Sequence, residues 1–124
     1  QRVDIGLDPL PYNGGTTSLD ACWMGVPTVT LVGATAVSRA GGSIASNLDL
    51  RELIVATPTN YVARAAGLAS NLERLASLRR NLRSRMQASP LVDAARFAHN
   101  LEQVYQKLSR SGCAQSVSSC GRSD

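Results

Sequence analysis

With 124 residues, 44% of them hydrophobic, the chain is long enough for one domain with a real core and too short for two. Only 4% are aromatic, so that core must be mostly Leu, Val, Ile and Ala, and no apolar run approaches the ~20 residues of a membrane span. The formal net charge of +4 is concentrated between Arg64 and Arg85; with no aromatics interleaved, it reads as a helix face whose arginines cover apolar surface rather than as a nucleic-acid patch.

Val3 to Leu7 is rich in β formers and predicts a strand. The chain opens on Gln1 almost inside that strand, with no signal-peptide pattern, which predicts the C-terminal piece of a longer protein. Asp8-Pro9-Leu10-Pro11 must leave the sheet, because two prolines so close continue neither a ladder nor a helix. Tyr12-Asn13-Gly14-Gly15 is a strong turn signal. Thr16 to Met24 predicts a short helix, capped by Thr16 or Thr17, with Asp20 in or just after its first turn. Gly25 is its stop and Pro27 forbids continuation. Thr28 to Val32 predicts a second strand. A strand–turn–helix–strand unit of this kind is a crossover between parallel strands.

Further along, Ser38 to Asn47 predicts a small-residue helix weakened by Gly41 and Gly42, and Glu52 to Ala56 a third strand. Thr57-Pro58 announces another helix, Thr as cap and Pro at the first position. The next helix carries Leu72, Leu75, Leu78, Leu82 and Met86 on one stripe. The last, after Ser89-Pro90, carries Phe97, Leu101, Val104, Tyr105 and Leu108, and such spacings argue for faces that pack. From Ser109 the composition turns to Ser, Gly and Arg. This predicts a disordered tail over 109–124 behind one α/β domain over 1–108.

The chemistry concentrates in Asn13-Gly14-Gly15-Thr16-Thr17. Glycines there let backbone N–H groups approach an anion, and the helix that follows aims its unpaired N–H groups and positive dipole end at the same place. The two threonine hydroxyls add donors for phosphate oxygens. Asp20 repels phosphate but accepts hydrogen bonds from a ribose diol. Donors plus one acceptor suit a nucleotide diphosphate; a plain glycine turn with no ligand is the competing reading. The turn is not a P-loop, since no lysine follows the glycines. Cys22, Cys113 and Cys120 form no CxxC pair and His99 is the only histidine, so no metal site is expected, and the chain reads as reduced and cytoplasmic. Cys22 reads as a small buried hydrophobe, Trp23 as packing behind the turn and His99 as a surface residue. Tyr12 and Arg39 read as structural first and as ligand contacts second.

Asp4-Ile5-Gly6-Leu7-Asp8, then Tyr12 through Asp20, then Trp23-Met24-Gly25-Val26-Pro27-Thr28-Val29-Thr30 closely resemble the C-terminal catalytic half of O-linked N-acetylglucosamine transferases. These form the SPINDLY-like glycosyltransferase family 41. The likeness continues through Ala36-Val37-Ser38-Arg39, Leu53-Ile54 and Ser89-Pro90-Leu91, covering roughly 3–108. It implies the C-terminal Rossmann-like half of a GT-B glycosyltransferase: a parallel sheet with flanking helices, truncated at its N-terminus. It also implies sugar transfer from a nucleotide diphosphate, preferably UDP-N-acetylglucosamine, to Ser or Thr hydroxyls of a protein or peptide acceptor. Tetratricopeptide repeats usually precede this half and present the acceptor.

In the family the paired threonines, here Thr16 and Thr17, hold the diphosphate, and the aspartate matching Asp20 binds the ribose. Donor-binding residues are therefore expected at Asn13, Gly14, Gly15, Thr16, Thr17 and Asp20. No catalytic residue, metal, cofactor, nucleic-acid partner or membrane contact is expected within the segment. Gly15 departs from the animal enzymes, which carry histidine there, and matches bacterial relatives. Plant SPINDLY proteins resemble this group and transfer fucose from GDP-fucose, so another donor, a small-molecule acceptor, or a non-catalytic nucleotide-sugar-binding or interaction domain are the alternatives. The family's phosphate-binding lysine lies upstream of this stretch, so residues 1–124 alone are expected to be inactive.

Overall fold

The computed structural model describes residues 3–119, with side chains as far as Arg110. The chain divides into two compact units, one ending at Val92 and one beginning at Asp93. The first contains a parallel sheet in the order β1-β2-β3, from β1 (Gly6–Leu7), β2 (Thr28–Leu31) and β3 (Ile54–Val55). Gly6 pairs with Thr28, Leu7 with Val29, Thr30 with Ile54 and Leu31 with Val55. The strands are shorter than their β-forming sequences suggest. A strand persists only where a ladder partner lies alongside, and β1 and β3 each have one neighbour among the described residues. Arg51 to Leu53, partly expected as strand, form a 3-10 turn instead.

The helix α1 (Thr16–Trp23) joins β1 to β2, and α2 (Ala40–Asn47) joins β2 to β3, after a 3-10 turn at Val37–Arg39. Both helices end the same way. After α1, Val26 N–H bonds Ala21 C=O, Gly25 N–H bonds Cys22 C=O, and Gly25 takes φ 75°. After α2, Leu50 N–H bonds Ala45 C=O, Asp49 N–H bonds Ser46 C=O, and Asp49 takes φ 54°. This paired bonding closes a helix through one left-handed residue. Gly25 announces it in the sequence; Asp49 does not.

Thr57 caps α3 (Pro58–Ser70), its hydroxyl accepting from Asn60 N–H at 3.2 Å, with Pro58 in the first turn as expected. In α4 (Leu72–Gln87) the stripe Leu75, Leu78, Leu82 and Met86 is buried, but Leu72 is 72% exposed because it stands at the first residue of the helix, beyond the covered face. The core joins this stripe to Cys22, Val29, Leu48, Leu50, Leu53 and Leu68, and its members all fall between Ile5 and Leu91. Much of the basic stretch is spoken for. Arg74 pairs with Glu52 at 2.7 Å and Arg79 with Asp4. Arg83 lies 4.7 Å from the centre of the Trp23 ring, and Arg85 donates to the Leu48 and Asp49 carbonyls that end α2.

The second unit holds α5 (Ala94–Ser119), capped by Asp93, which accepts from Arg96 N–H at 2.9 Å. Phe97, Leu101, Val104, Tyr105 and Leu108 are exposed along it. α5 continues past Ser109 to Ser119, since a nucleated helix adds one hydrogen bond for each further residue and no proline stops it. Residues 120–124, and with them Cys120, lie outside the described residues. Among the described residues no helix is long and apolar enough to cross a membrane.

Candidate functional site

In a parallel sheet, ligands bind outside the C-terminal ends of the strands. Two connections meet at that end here. The turn after β1 and the loop after β2 are tied by Asn13 N–H donating to Val37 C=O at 3.1 Å. The loop after β2 is closed on itself by Gly33 N–H to Ser38 C=O and by the Ser38 hydroxyl donating to Thr35 C=O.

The residues expected to bind a ligand fall into two groups. Asn13 is 2% exposed, and its side-chain amide donates inward to Pro9 C=O. Its Oδ1 has no partner among the described residues. Gly14 is buried, and its N–H donates to Asp8 Oδ1 at 2.8 Å. A Cβ there would run into the Ser18 hydroxyl. The N–H groups of Asn13 and Gly14 are therefore hydrogen-bonded inside the fold.

Gly15, Thr16, Thr17 and Asp20 are exposed. A Cβ on Gly15 would meet nothing within 4 Å. Gly15 itself occupies the cap position of α1 with no side-chain cap, so the expected capping by Thr16 or Thr17 does not occur; both lie inside the first turn. Their N–H groups, with that of Gly15, have no partner among the described residues, as the first N–H groups of any uncapped helix must. Thr16 and Asp20 are four residues apart and Thr17 and Asp20 three, so they share one face of α1. Ser18 and Cys22 line the buried side.

Asp8, at the end of β1, was not singled out by its sequence setting. It is 2% exposed, and its carboxylate accepts from Gly14 N–H, from the Ser18 hydroxyl at 3.3 Å and from the Thr30 hydroxyl at 2.7 Å. Its carbonyl accepts from the Tyr61 hydroxyl at 2.7 Å. The available signal was a polar residue, Thr30, in the middle of the most buried strand. Burial, and then the Asp8 charge, push the Cys22 thiol up to about 11; the same two causes raise the Tyr61 phenol. Cys22 is therefore an inert, neutral thiol. Tyr12 is exposed beside the turn, Trp23 packs partly against the core, and exposed His99 lies 2.9 Å from the Gln103 amide.

A larger groove of about 630 Å³ opens at β3 and is lined by Ile54, Asn60, Arg64 and Arg74 among others, with no residue of the turn. The turn is separate from this groove. It sits at the C-terminal end of the strands, and it brings together unused N–H groups, hydroxyls and a carboxylate.

The profile of glycosyl transferase family 41 matches residues 1–101. The chain belongs to this family. It is 40% identical over 120 residues to the probable UDP-N-acetylglucosamine–peptide N-acetylglucosaminyltransferase SPINDLY of Petunia hybrida, covering 97% of this chain and 13% of that protein. The corresponding Arabidopsis thaliana protein named SEC is 35% identical over 113 residues, covering 90% of this chain and 12% of its own length. Among solved structures, a mutant of the Thermobaculum terrenum O-GlcNAc transferase matches with a TM-score of 0.84 and 42% identity, over 91% of this chain and 22% of that one. The family 41 chain therefore spans about an eighth of these curated relatives. Its fold is the α/β, Rossmann-like one of the C-terminal part of a GT-B glycosyltransferase.

Proposed function

We propose that this segment is the donor-binding wall of a protein glycosyltransferase, and that its ligand is a nucleotide diphosphate sugar, UDP-N-acetylglucosamine. The observation that carries the reading is the exposed N-terminus of α1. Three unused N–H groups and two threonine hydroxyls stand there beside one exposed carboxylate, in a chain of family 41.

In this reading the N–H groups of Gly15, Thr16 and Thr17 and the two threonine hydroxyls bind the diphosphate. Asp20, one turn further, accepts from the ribose hydroxyls. Asn13 and Gly14 shape the turn rather than touch the ligand. When the acceptor hydroxyl attacks the anomeric carbon, the bond from that carbon to the diphosphate breaks. Fixed donors then stabilise the charge that develops on the leaving phosphate. The N-acetylglucosaminyltransferase activity for which the SPINDLY relatives are named supports the choice of N-acetylglucosamine and of a protein acceptor.

The test uses the full-length enzyme and UDP as titrant. Asp20→Ala deletes a charge-assisted hydrogen bond and is expected to weaken UDP binding about ten-fold or more. Unchanged affinity removes the ribose assignment. Transfer from UDP-N-acetylglucosamine to a peptide, with GDP-fucose in a parallel reaction, decides the donor: transfer only from GDP-fucose overturns the choice made here.

A further inference from the structure

The site must hold its donors in place before a ligand arrives, since a turn that orders only on binding loses affinity to that ordering. Its own sequence does the opposite. Gly14 and Gly15 give the backbone maximal freedom, and no side chain caps α1.

We propose that Asp8 is the positioning residue of the turn, clamping its backbone so that the N–H groups of Gly15, Thr16 and Thr17 are presented to the diphosphate. This rests on reading the turn as the diphosphate site. Oδ1 takes both Gly14 N–H and the Ser18 hydroxyl, one on each side of the junction between turn and helix. Oδ2 is anchored to the centre of the sheet by Thr30. The carbonyl is held by Tyr61 from α3. One residue thus links the turn, α1, β2 and α3. A Cβ on Gly41 would collide with Asp8 Oδ2 and Thr30 Oγ1, so α2 closes the fourth side of the carboxylate.

No cation is among the partners of Asp8 in the described residues. Its charge is met by three hydrogen-bond donors, the Gly14 N–H immediately before α1 among them. A buried charge is tolerable only when hydrogen-bonded in this way. Both carboxylate oxygens are occupied and the group is 2% exposed, so it acts through the backbone it holds and does not touch the donor.

Geometry, not charge, is what the clamp supplies, and asparagine separates the two. Asp8→Asn keeps an acceptor for Gly14 N–H and turns its NH2 toward Thr30, whose hydroxyl can reverse and accept. Asp8→Ala leaves three buried donors without an acceptor.

The experiment titrates full-length enzyme with UDP and, by competition, with uridine, which carries no phosphate. Asp8→Ala is expected to weaken UDP about ten-fold or more while uridine stays within about two-fold, and Asp8→Asn to restore UDP to within about three-fold of wild type. If Asp8→Ala does not fold, as judged by thermal melting, Tyr61→Phe carries the test. It removes one hydroxyl from a half-buried ring and should give a loss of about two- to five-fold confined to UDP. Unchanged UDP affinity in the folded variants, parallel loss of UDP and uridine, or failure of asparagine to rescue would each overturn the proposal. Folded wild type that binds no UDP sinks the donor reading and this inference together. If Thr16→Val weakens UDP and Asp8→Ala does not, this inference alone falls.

Discussion

Cys22 illustrates how a single residue reports on its surroundings. The thiol is 3% exposed, and both desolvation and the neighbouring Asp8 charge raise its pKa from 9.0 to about 11. Below pH 9 the thiol is protonated in both folded and unfolded chains, so its contribution to stability is fully present there. Between pH 9 and about 11 the unfolded chain ionises while the folded one resists. Stability is then lost with rising pH, at up to about 1.4 kcal/mol per pH unit. Tyr61 shifts the same way from its ordinary value of 10.0 and adds to the loss above pH 10. Urea denaturation from pH 7 to 11 should show the decline beginning near pH 9, and Cys22→Ala should flatten its first part. A decline of equal slope in the variant would remove the assignment. The buried, inert character of Cys22 was legible from its type and position on α1. Its neighbour Asp8 was not, because the two lie on different elements and meet only through packing.

At the scale of elements, α1 and α2 are stopped by one geometry built with different residues. Gly25 has φ 75°, and a Cβ there would lie 2.9 Å from the Arg79 carbonyl oxygen. Gly25→Ala should therefore cost about 1–2 kcal/mol of backbone strain, with the carbonyl contact in addition. Asp49 already carries a side chain at φ 54°. Asp49→Gly relieves about 1 kcal/mol of that strain and gives back a similar amount through the freer unfolded chain, so it should fall within about 0.5 kcal/mol of wild type. Chemical denaturation of the pair checks this, and equal losses in both variants would contradict it. Gly25-Val26-Pro27 announced its stop; Asp49 could not, because aspartate visits the left-handed region only where the following chain demands it. The demand comes from Leu50, 2% exposed, which must turn back into the core.

For the whole molecule, the decisive fact is proportion. The chain covers 13% of the Petunia hybrida relative and 22% of the matched Thermobaculum terrenum chain. Its one lysine, Lys107, lies on α5, far along the chain from the turn. A diphosphate leaving group needs strong charge stabilisation, and the resemblance assigns that role to a lysine upstream of this stretch. Residues 1–124 expressed by themselves should therefore transfer no sugar to a peptide, as measured by incorporation of labelled N-acetylglucosamine. Robust turnover would show that the turn and its neighbours suffice. Within the basic stretch that stood out in the composition, Arg74, Arg79, Arg83 and Arg85 are engaged by Glu52, Asp4, Trp23 and the end of α2.

What the amino-acid sequence determined by itself was set within a few residues, by glycines and prolines above all. Thr57-Pro58 starts a helix and Gly25 with Pro27 ends one, because φ limits and missing N–H groups act locally. Gly14-Gly15 makes a turn for the same reason, and the ordered string from Asp4 to Thr30 was long enough to place the chain in its family. Only the tertiary structure decided which N–H groups of that turn remain for a ligand. Asp8 takes the one at Gly14, and it is held by Thr30, 22 residues away, and by Tyr61, 53 residues away. No local period encodes those partners. They exist because β2 lies beside β1 and α3 packs against β2 and β3, and a buried carboxylate in that space must find donors wherever the fold supplies them.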